Sequence, residues 1–392
     1  MQYYLLETET SKIIQKPFFA KFDSEGLCHK DMGLRRHIAL HGTPIALTII
    51  FLILAREIYP YATPSNEVLV DGYQIEKVAG GLGGPTCLEW DESENLLMCD
   101  RDGDRIILFN TSQEFSQTII LEDLDKPHGV HITLEYLFVS ESGKLSRYDR
   151  GLNWELTNKT VLIEDVPTRN HQTNAINAFP NGTLIWHVGS TCNVCEEEDP
   201  RNAALLWVNP ESGDHGVVAS GVRNSFDGVW IESMGYVFTD NGRDWDGDHP
   251  PEEINLLIPG ESYGWPDDEP ETPVPEGTQG PIAIWTPHTS VNGIDVRPQN
   301  SSLPGLSEGN GHTVYATVYG SWNTILPQGH QLIRVDFTPS FDSEGNFSGW
   351  DSETSIFAKD LGTPLPLRFS PSGDLYYAIF GNGGTLYKVT ST

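Results

Sequence analysis

Four groupings in this 392-residue sequence have residue types and spacings suited to chemistry. Asn170-His171-Gln172 sets one imidazole between two amides, and a neutral imidazole can take a proton near neutral pH. A lone histidine is by default a hydrogen-bonded structural group, so its reading rests on what surrounds it. Arg223-Asn224 offers a guanidinium able to stabilise negative charge developing beside it. In a chain this acidic, the plain alternative is an arginine paired with a surface carboxylate. Gly247-Asp248 lies in the run Asp246-Gly-Asp-His-Pro-Pro-Glu-Glu-Ile-Asn255. A Gly/Asp/Pro turn presents oxygens of the kind calcium accepts in irregular geometry. Glu252 and Glu253 in that run read as solvated acids without a ligand role. Cys192 and Cys195 form a Cys-x-x-Cys, which serves as a redox motif, half a zinc site or a local disulfide. No second pair completes a zinc site and no thioredoxin-like βαβ pattern surrounds it, so the disulfide is the expectation.

The elements that must position these groups repeat. Each unit is a turn, a short apolar strand, a Gly/Asp/Asn turn and a second strand rich in aromatic or β-branched residues. Six units begin near Gly84, Pro127, Ala175, Asp227, Asn292 and Leu365, at intervals of about 40–75 residues, and further strands such as Ala204–Val208 follow them. Helical periodicity is almost absent beyond residue 73. The pattern predicts an all-β, six-bladed propeller of four-stranded antiparallel blades over residues 73–390. The weaker alternative is a large β-sandwich. Tyr73–Val78 is a spare strand that would complete the last blade and close the ring. His171 and its neighbours should begin the inner strand of blade three, and the stretches Glu252–Thr289 and Pro298–Gly311 read as insertions. Around the turn Asp91–Asn95, Cys87 and Cys99 fall opposite one another, so a bridge between neighbouring strands is expected.

Composition narrows the partners. The net charge is −31, with only 24 Lys and Arg. Such a field repels phosphate backbones, so no nucleic-acid partner is expected, and an anionic ligand needs local cations or a metal. The first 63 residues are nearly neutral and read as a leader. Its apolar core, 45–55, follows Arg35 and Arg36, and Met32 would be a more ordinary start for a signal peptide. A short uncleaved membrane anchor is the alternative. Either way the acidic portion is expected to be extracytoplasmic: secreted, periplasmic or held at the cell surface. Five Asn-x-Ser/Thr sequons, at Asn110, Asn158, Asn181, Asn300 and Asn346, should lie on exposed turns.

Four segments read together resemble the glucose/sorbosone dehydrogenase family of pyrroloquinoline quinone (PQQ) propellers. They are His187-Val-Gly-Ser-Thr-Cys-Asn-Val-Cys195, Gly221-Val-Arg-Asn224, Asp246–Asn255 and Gly260-Glu-Ser-Tyr-Gly-Trp-Pro266. A fifth, Gly320-Ser-Trp-Asn323, is similar to the sorbosone-dehydrogenase-like branch. The resemblance implies a PQQ- and Ca²⁺-dependent sugar dehydrogenase that oxidises a hydroxyl or hemiacetal carbon and passes electrons to an external acceptor. It makes His171 the general base and Arg223 the group beside the quinone carbonyl. It places Asn170, Gln172, Asn224, His128 and Thr363 around the cofactor, and the Gly247-Asp248 carbonyls on the calcium. The sequence departs from the family at two of these positions. Asn170 stands where better-known members have a carboxylate, and Thr363 stands where sorbosone-type members have an arginine that reaches a cofactor carboxylate. These departures favour the rival expectation, a non-catalytic propeller that binds a carbohydrate or protein partner. Tyr263–Pro266 reads as a packed turn. A metal-dependent lactonase would need three or four converging carboxylates, and the sequence shows no such set.

Overall fold

The computed structural model describes residues 43–62 and 65–392, apart from 245–246, 322–323, 325–326 and 382. Met32, the basic flank at 35–36, Asp246 and Trp322-Asn323 lie outside the described residues. The chain divides into two units, Met1–Ile53 and Leu54–Thr392. A helix, Thr43–Ala62, contains the predicted apolar core, and Ile45, Leu47, Ile49 and Phe51 on it are exposed. No helix among the described residues is long and apolar enough to cross a membrane.

The second unit is the predicted propeller, built from six antiparallel sheets. Their inner strands are Pro85–Trp90, Gly129–Ile132, Thr173–Ala178, Gly228–Ile231, Val291–Val296 and Pro364–Phe369. Each packs against the inner strand of the next blade, and the sixth returns to the first. The spare strand, Tyr73–Gly80, pairs with Thr385–Ser391 and completes blade six. Blade five has a fifth strand, because Glu67–Val68 pairs with Phe347–Lys359.

The second strand of a blade is covered on both faces, which explains its nearly continuous apolar character. Leu96–Asp100, Leu184–Val188 and Leu375–Ile379 are buried at every position. Outer strands such as His215–Ser220 alternate toward solvent. The apolar core accordingly falls into six clusters, one between each pair of neighbouring blades; one joins Phe138 and Leu145 to Ile176 and Trp186. Near the axis the inner strands come so close that a side chain does not fit. A Cβ on Gly129 would lie 2.8 Å from Asn174 O, and one on Gly293 would lie 2.6 Å from Leu365 O.

Two expectations need correction. Asn170–Gln172 precede the inner strand of blade three, which starts at Thr173, and so lie on the loop entering it. The stretch after Glu252 is not wholly an insertion, because Glu252–Leu256 and Ala283–Trp285 are the outer strands of blade four. Both disulfides are formed. Cys87–Cys99 joins directly paired residues of blade one, and Cys192–Cys195 closes a turn in blade three. Asn158, Asn181, Asn300 and Asn346 are exposed, and Asn110 is half-buried.

Candidate functional site

A cavity of about 230 Å³ lies where the chain enters the inner strands of blades three, four and five. Loops rather than strands build it, on a scaffold that the six interfaces make rigid. Asn170 and His171 come from the entry to blade three, Arg223 and Asn224 from the entry to blade four, and His288 and Ser290 from the entry to blade five. Asn241, Gly242, Asp244 and Glu252 complete the wall.

His171 is fixed at one ring nitrogen. Its Nδ1 lies 3.1 Å from Ser190 O and 2.8 Å from Ser190 Oγ. The carbonyl only accepts, and the hydroxyl donates its own hydrogen to Cys192 O at 2.7 Å. Nδ1 therefore carries the proton, which leaves the lone pair on Nε2, and Nε2 has no partner among the described residues. Burial, reinforced by the charge on Arg223, lowers the His171 pKa to about 3, against the opposing bond from Ser190. The imidazole is thus neutral across the physiological range, with its basic nitrogen free. Gly189 sits beneath it, and a Cβ there would lie 2.6 Å from His171 Cβ and 3.0 Å from Asn224 Oδ1.

Arg223 is buried, with 4% of its surface exposed. Its Nη1 donates to Asn241 O at 3.1 Å, and its Nη2 pairs with Asp244 Oδ2 at 3.1 Å. Asp240 pins the backbone beneath, accepting from Arg223 N at 2.9 Å and from Asn224 N at 2.7 Å. Burial raises the pKa of Asp240 to about 7 and that of Glu252 also to about 7. Glu252 is therefore not a solvated acid. It is buried on the cavity wall, where it accepts from Thr289 N at 2.8 Å and Gly242 N at 3.3 Å. Glu253 is half-buried, and desolvation together with the nearby Asp240 raises its pKa to about 8.

The other expected site residues are more scattered. His128 lies deeper, with Nδ1 3.1 Å from Asn174 Oδ1, and it is linked to Asn224 only through Asn174. Gln172 gives its backbone carbonyl to Gly189 N, and its buried Oε1 has no partner. Thr363 is buried and turned to the carbonyl of Phe380, away from the cavity wall. Gly247 O accepts from His288 Nε2 at 2.6 Å, while Asp248 is exposed. His187 is structural, held by Ser225 Oγ and Tyr236 Oη at 2.7 Å each.

The arrangement fits one group better than the other. The side-chain amides of Asn170 and Asn224 and the Arg223 guanidinium offer donors, and the unpartnered Asn241 Oδ1 offers an acceptor, to a planar polar group such as PQQ, with Asp244 and Glu252 sharing the wall. For calcium the described residues offer less: Gly247 O accepts from His288, and the carboxylates near Arg223 among the described residues do not gather into a ligand set. The one group among the described residues with metal-ligand spacing is Cys192, Cys195 and Glu197, whose cysteines are joined in a disulfide.

The opposite end of the inner strands holds a second cavity of about 400 Å³, lined by Glu89, Trp90, His131, Asn177, Trp230, Asp295 and Arg368 among others. Three carboxylates do converge there, contrary to expectation, but on a guanidinium. Arg368 lies 3.4 Å from Glu89 and 3.6 Å from Asp227, and it donates to Leu88 O and Ile294 O. Asp295 faces the same group. Lys359 pairs instead with Glu67.

This is a six-bladed propeller with a polar, loop-built cavity at the entry to its inner strands. Solved structures share that architecture. The holo form of the PQQ domain of pyranose dehydrogenase from Coprinopsis cinerea aligns with a TM-score of 0.67 at 17% identity, over 84% of this chain and 98% of that one. The PQQ-bound aldose sugar dehydrogenase from Streptomyces coelicolor gives 0.60 at 17%, over 84% and 100%. The apo soluble aldose sugar dehydrogenase from Escherichia coli gives 0.63 at 15%, over 82% and 100%. At these identities what is shared is the fold, and none of the three is described as a sorbosone dehydrogenase. No family model matches the chain, and no curated protein matches its sequence.

Proposed function

We propose that the protein is an oxidoreductase that removes hydride from a hydroxyl or hemiacetal carbon of a sugar, with PQQ held in the cavity beside His171 and Arg223. The observation that carries this reading is the pair of oxygens at His171 Nδ1. They leave the Nε2 lone pair free in the same cavity as a buried cation. PQQ, when bound, supplies the two-electron acceptor. Nε2 of His171 takes the hydroxyl proton as the carbon loses hydride, and Ser190 holds the resulting imidazolium through Nδ1. Arg223, with its position fixed beforehand, would face the negative charge on a bound acceptor, which would in turn be reoxidised by an external one. We assign no step to calcium. The formed disulfides and exposed sequons support an extracytoplasmic location.

The rival reading is a non-catalytic propeller that binds carbohydrate or a protein partner. It is favoured by the scarcity of positive charge, since Arg223 is the one Lys or Arg lining the cavity among the described residues. Titrating purified protein with PQQ and following dye reduction across a panel of aldoses separates the two. His171→Ala should lower turnover by about 10²–10⁴-fold while PQQ binding persists. Full activity in that variant, or no PQQ binding by the wild type, rules out the dehydrogenase.

A further inference from the structure

We propose that Asn193, presented by the turn that Cys192 and Cys195 close, is the positioning residue for Arg223. The inference rests on the reading of Arg223 as the charge-stabilising group. One residue holds two edges of the guanidinium. Arg223 Nε donates to Asn193 O at 3.2 Å, and Nη2 donates to Asn193 Oδ1 at 2.9 Å. A fork held at two points cannot rotate about its stem, so its free face stays aimed at the cavity.

Asn193 is itself over-determined. Its Oδ1 also accepts from Asp244 N at 2.8 Å, and its carbonyl accepts from Trp265 Nε1 at 3.0 Å. Trp265 is buried in the packed turn at 263–266. The residue therefore ties together the disulfide turn of blade three, the loop carrying Asp244 and the Tyr263–Pro266 turn. The disulfide brackets it in sequence, at 192 and 195. The same turn reaches the base, because Cys192 O accepts from the Ser190 hydroxyl that holds His171.

The chemistry of an amide matters here. A carboxylate at 193 would orient the guanidinium equally well but cancel the charge that a developing anion requires. Asn193 orients it with neutral oxygens, and Asp244 is the one carboxylate in direct contact among the described residues.

A double-mutant cycle tests this on the full chain, with PQQ affinity read by calorimetry, kcat and KM by dye reduction, and Tm as a control. Asn193→Ala should weaken PQQ binding and lower kcat by about tenfold each, the scale of one charge-assisted hydrogen bond, with KM for the sugar unchanged. In an Arg223→Ala background the same substitution should change neither. Asn193→Asp keeps the acceptor oxygen and should hold Tm while lowering kcat. It serves for the cycle if the alanine variant does not fold. Equal losses with and without Arg223, or a folded Asn193→Ala with wild-type kcat and PQQ affinity, overturn the proposal. A wild type that binds no PQQ overturns the reading of the site, and this inference falls with it.

Discussion

An arginine stands at each end of the inner strands, Arg223 buried and Arg368 half-buried, and the two are held differently. Arg368 grows from a strand and is surrounded by charge: Glu89, Asp227 and Asp295 face it, with backbone carbonyls filling the remaining donors. Arg223 grows from a loop and is held mainly by neutral oxygens, those of Asn193 and Asn241, with Asp244 the one carboxylate touching it. A guanidinium whose charge is matched on every side has none to offer a ligand. Arg223 touches a single carboxylate among the described residues, with Asp240, Glu252 and Asp268 acting on it from further off. The contrast marks the Arg368 end as a structural tie and the Arg223 end as the place for chemistry.

The sharpest way to break that contrast is Arg368→Leu. It strands the buried Asp227 and the half-buried Glu89 and Asp295; removing one partner of a fully buried pair typically costs about 3–5 kcal/mol, an upper bound here. Urea unfolding should show that loss while PQQ affinity of the folded protein stays at the wild-type level. An unchanged midpoint would show that the Arg368 cluster does not hold the fold.

Gly189→Ala should do the reverse. Its new Cβ meets His171 and Asn224, and an ångström of displacement at a reacting group costs about 10²-fold in turnover. Dye-reduction kcat should fall with little change in Tm. Retained kcat would show that the imidazole's place is not tightly set.

A milder perturbation uses the disulfides. Cys192–Cys195 is half-buried, whereas Cys99 is fully buried and Cys87 nearly so, and thus a dithiol should reduce the first bridge selectively. Turnover should drop and recover on reoxidation, with two more thiols titrated per chain than before reduction. A gain of four thiols, or no loss of turnover on reduction, would contradict the link from that turn to the Arg223 site.

The smallest effect is on stability against pH. Glu89, Asp240, Glu252 and Glu253 have pKa values raised to about 7 or 8, so the folded state holds their protons where the unfolded chain has lost them. Their contribution is full below about 4.5 and is lost as pH rises through 7–8. His128, His171 and His187, lowered to about 3, contribute above 6.5 and lose it as pH falls toward 3. Between about 6.5 and 8 the acids act alone, so Tm should decline across that window. A rising Tm there would reverse the sign assigned to these acids.

Much of the ring was legible because its signals are local. A turn–strand–turn–strand pattern recurs within a dozen residues, and hairpin arithmetic alone put Cys87 opposite Cys99. The outer strands of blade four were not, because the chain leaves the sheet between Leu256 and Ala283 before pairing again. The site was legible as residue types but not as contacts. Glu252 looks solvated in a Pro-rich run, and only amides donated from Gly242 and Thr289 show that it is buried. Thr363 stands at the right place in the sequence, yet its hydroxyl satisfies Phe380. The convergence of Glu89, Asp227 and Asp295 spans blades one, four and five, a distance that no local pattern encodes.

The pairing of Tyr73–Gly80 with Thr385–Ser391 sets the order in which the molecule can be made. The earliest strand of the ring finds its partner only after residue 385 has been synthesised, so a growing chain can pair each blade with the last but cannot finish the circle. Closure of the ring therefore depends on Thr385–Ser391. A truncated product keeps an open blade with unpaired edge groups, which invites association and attack by proteases.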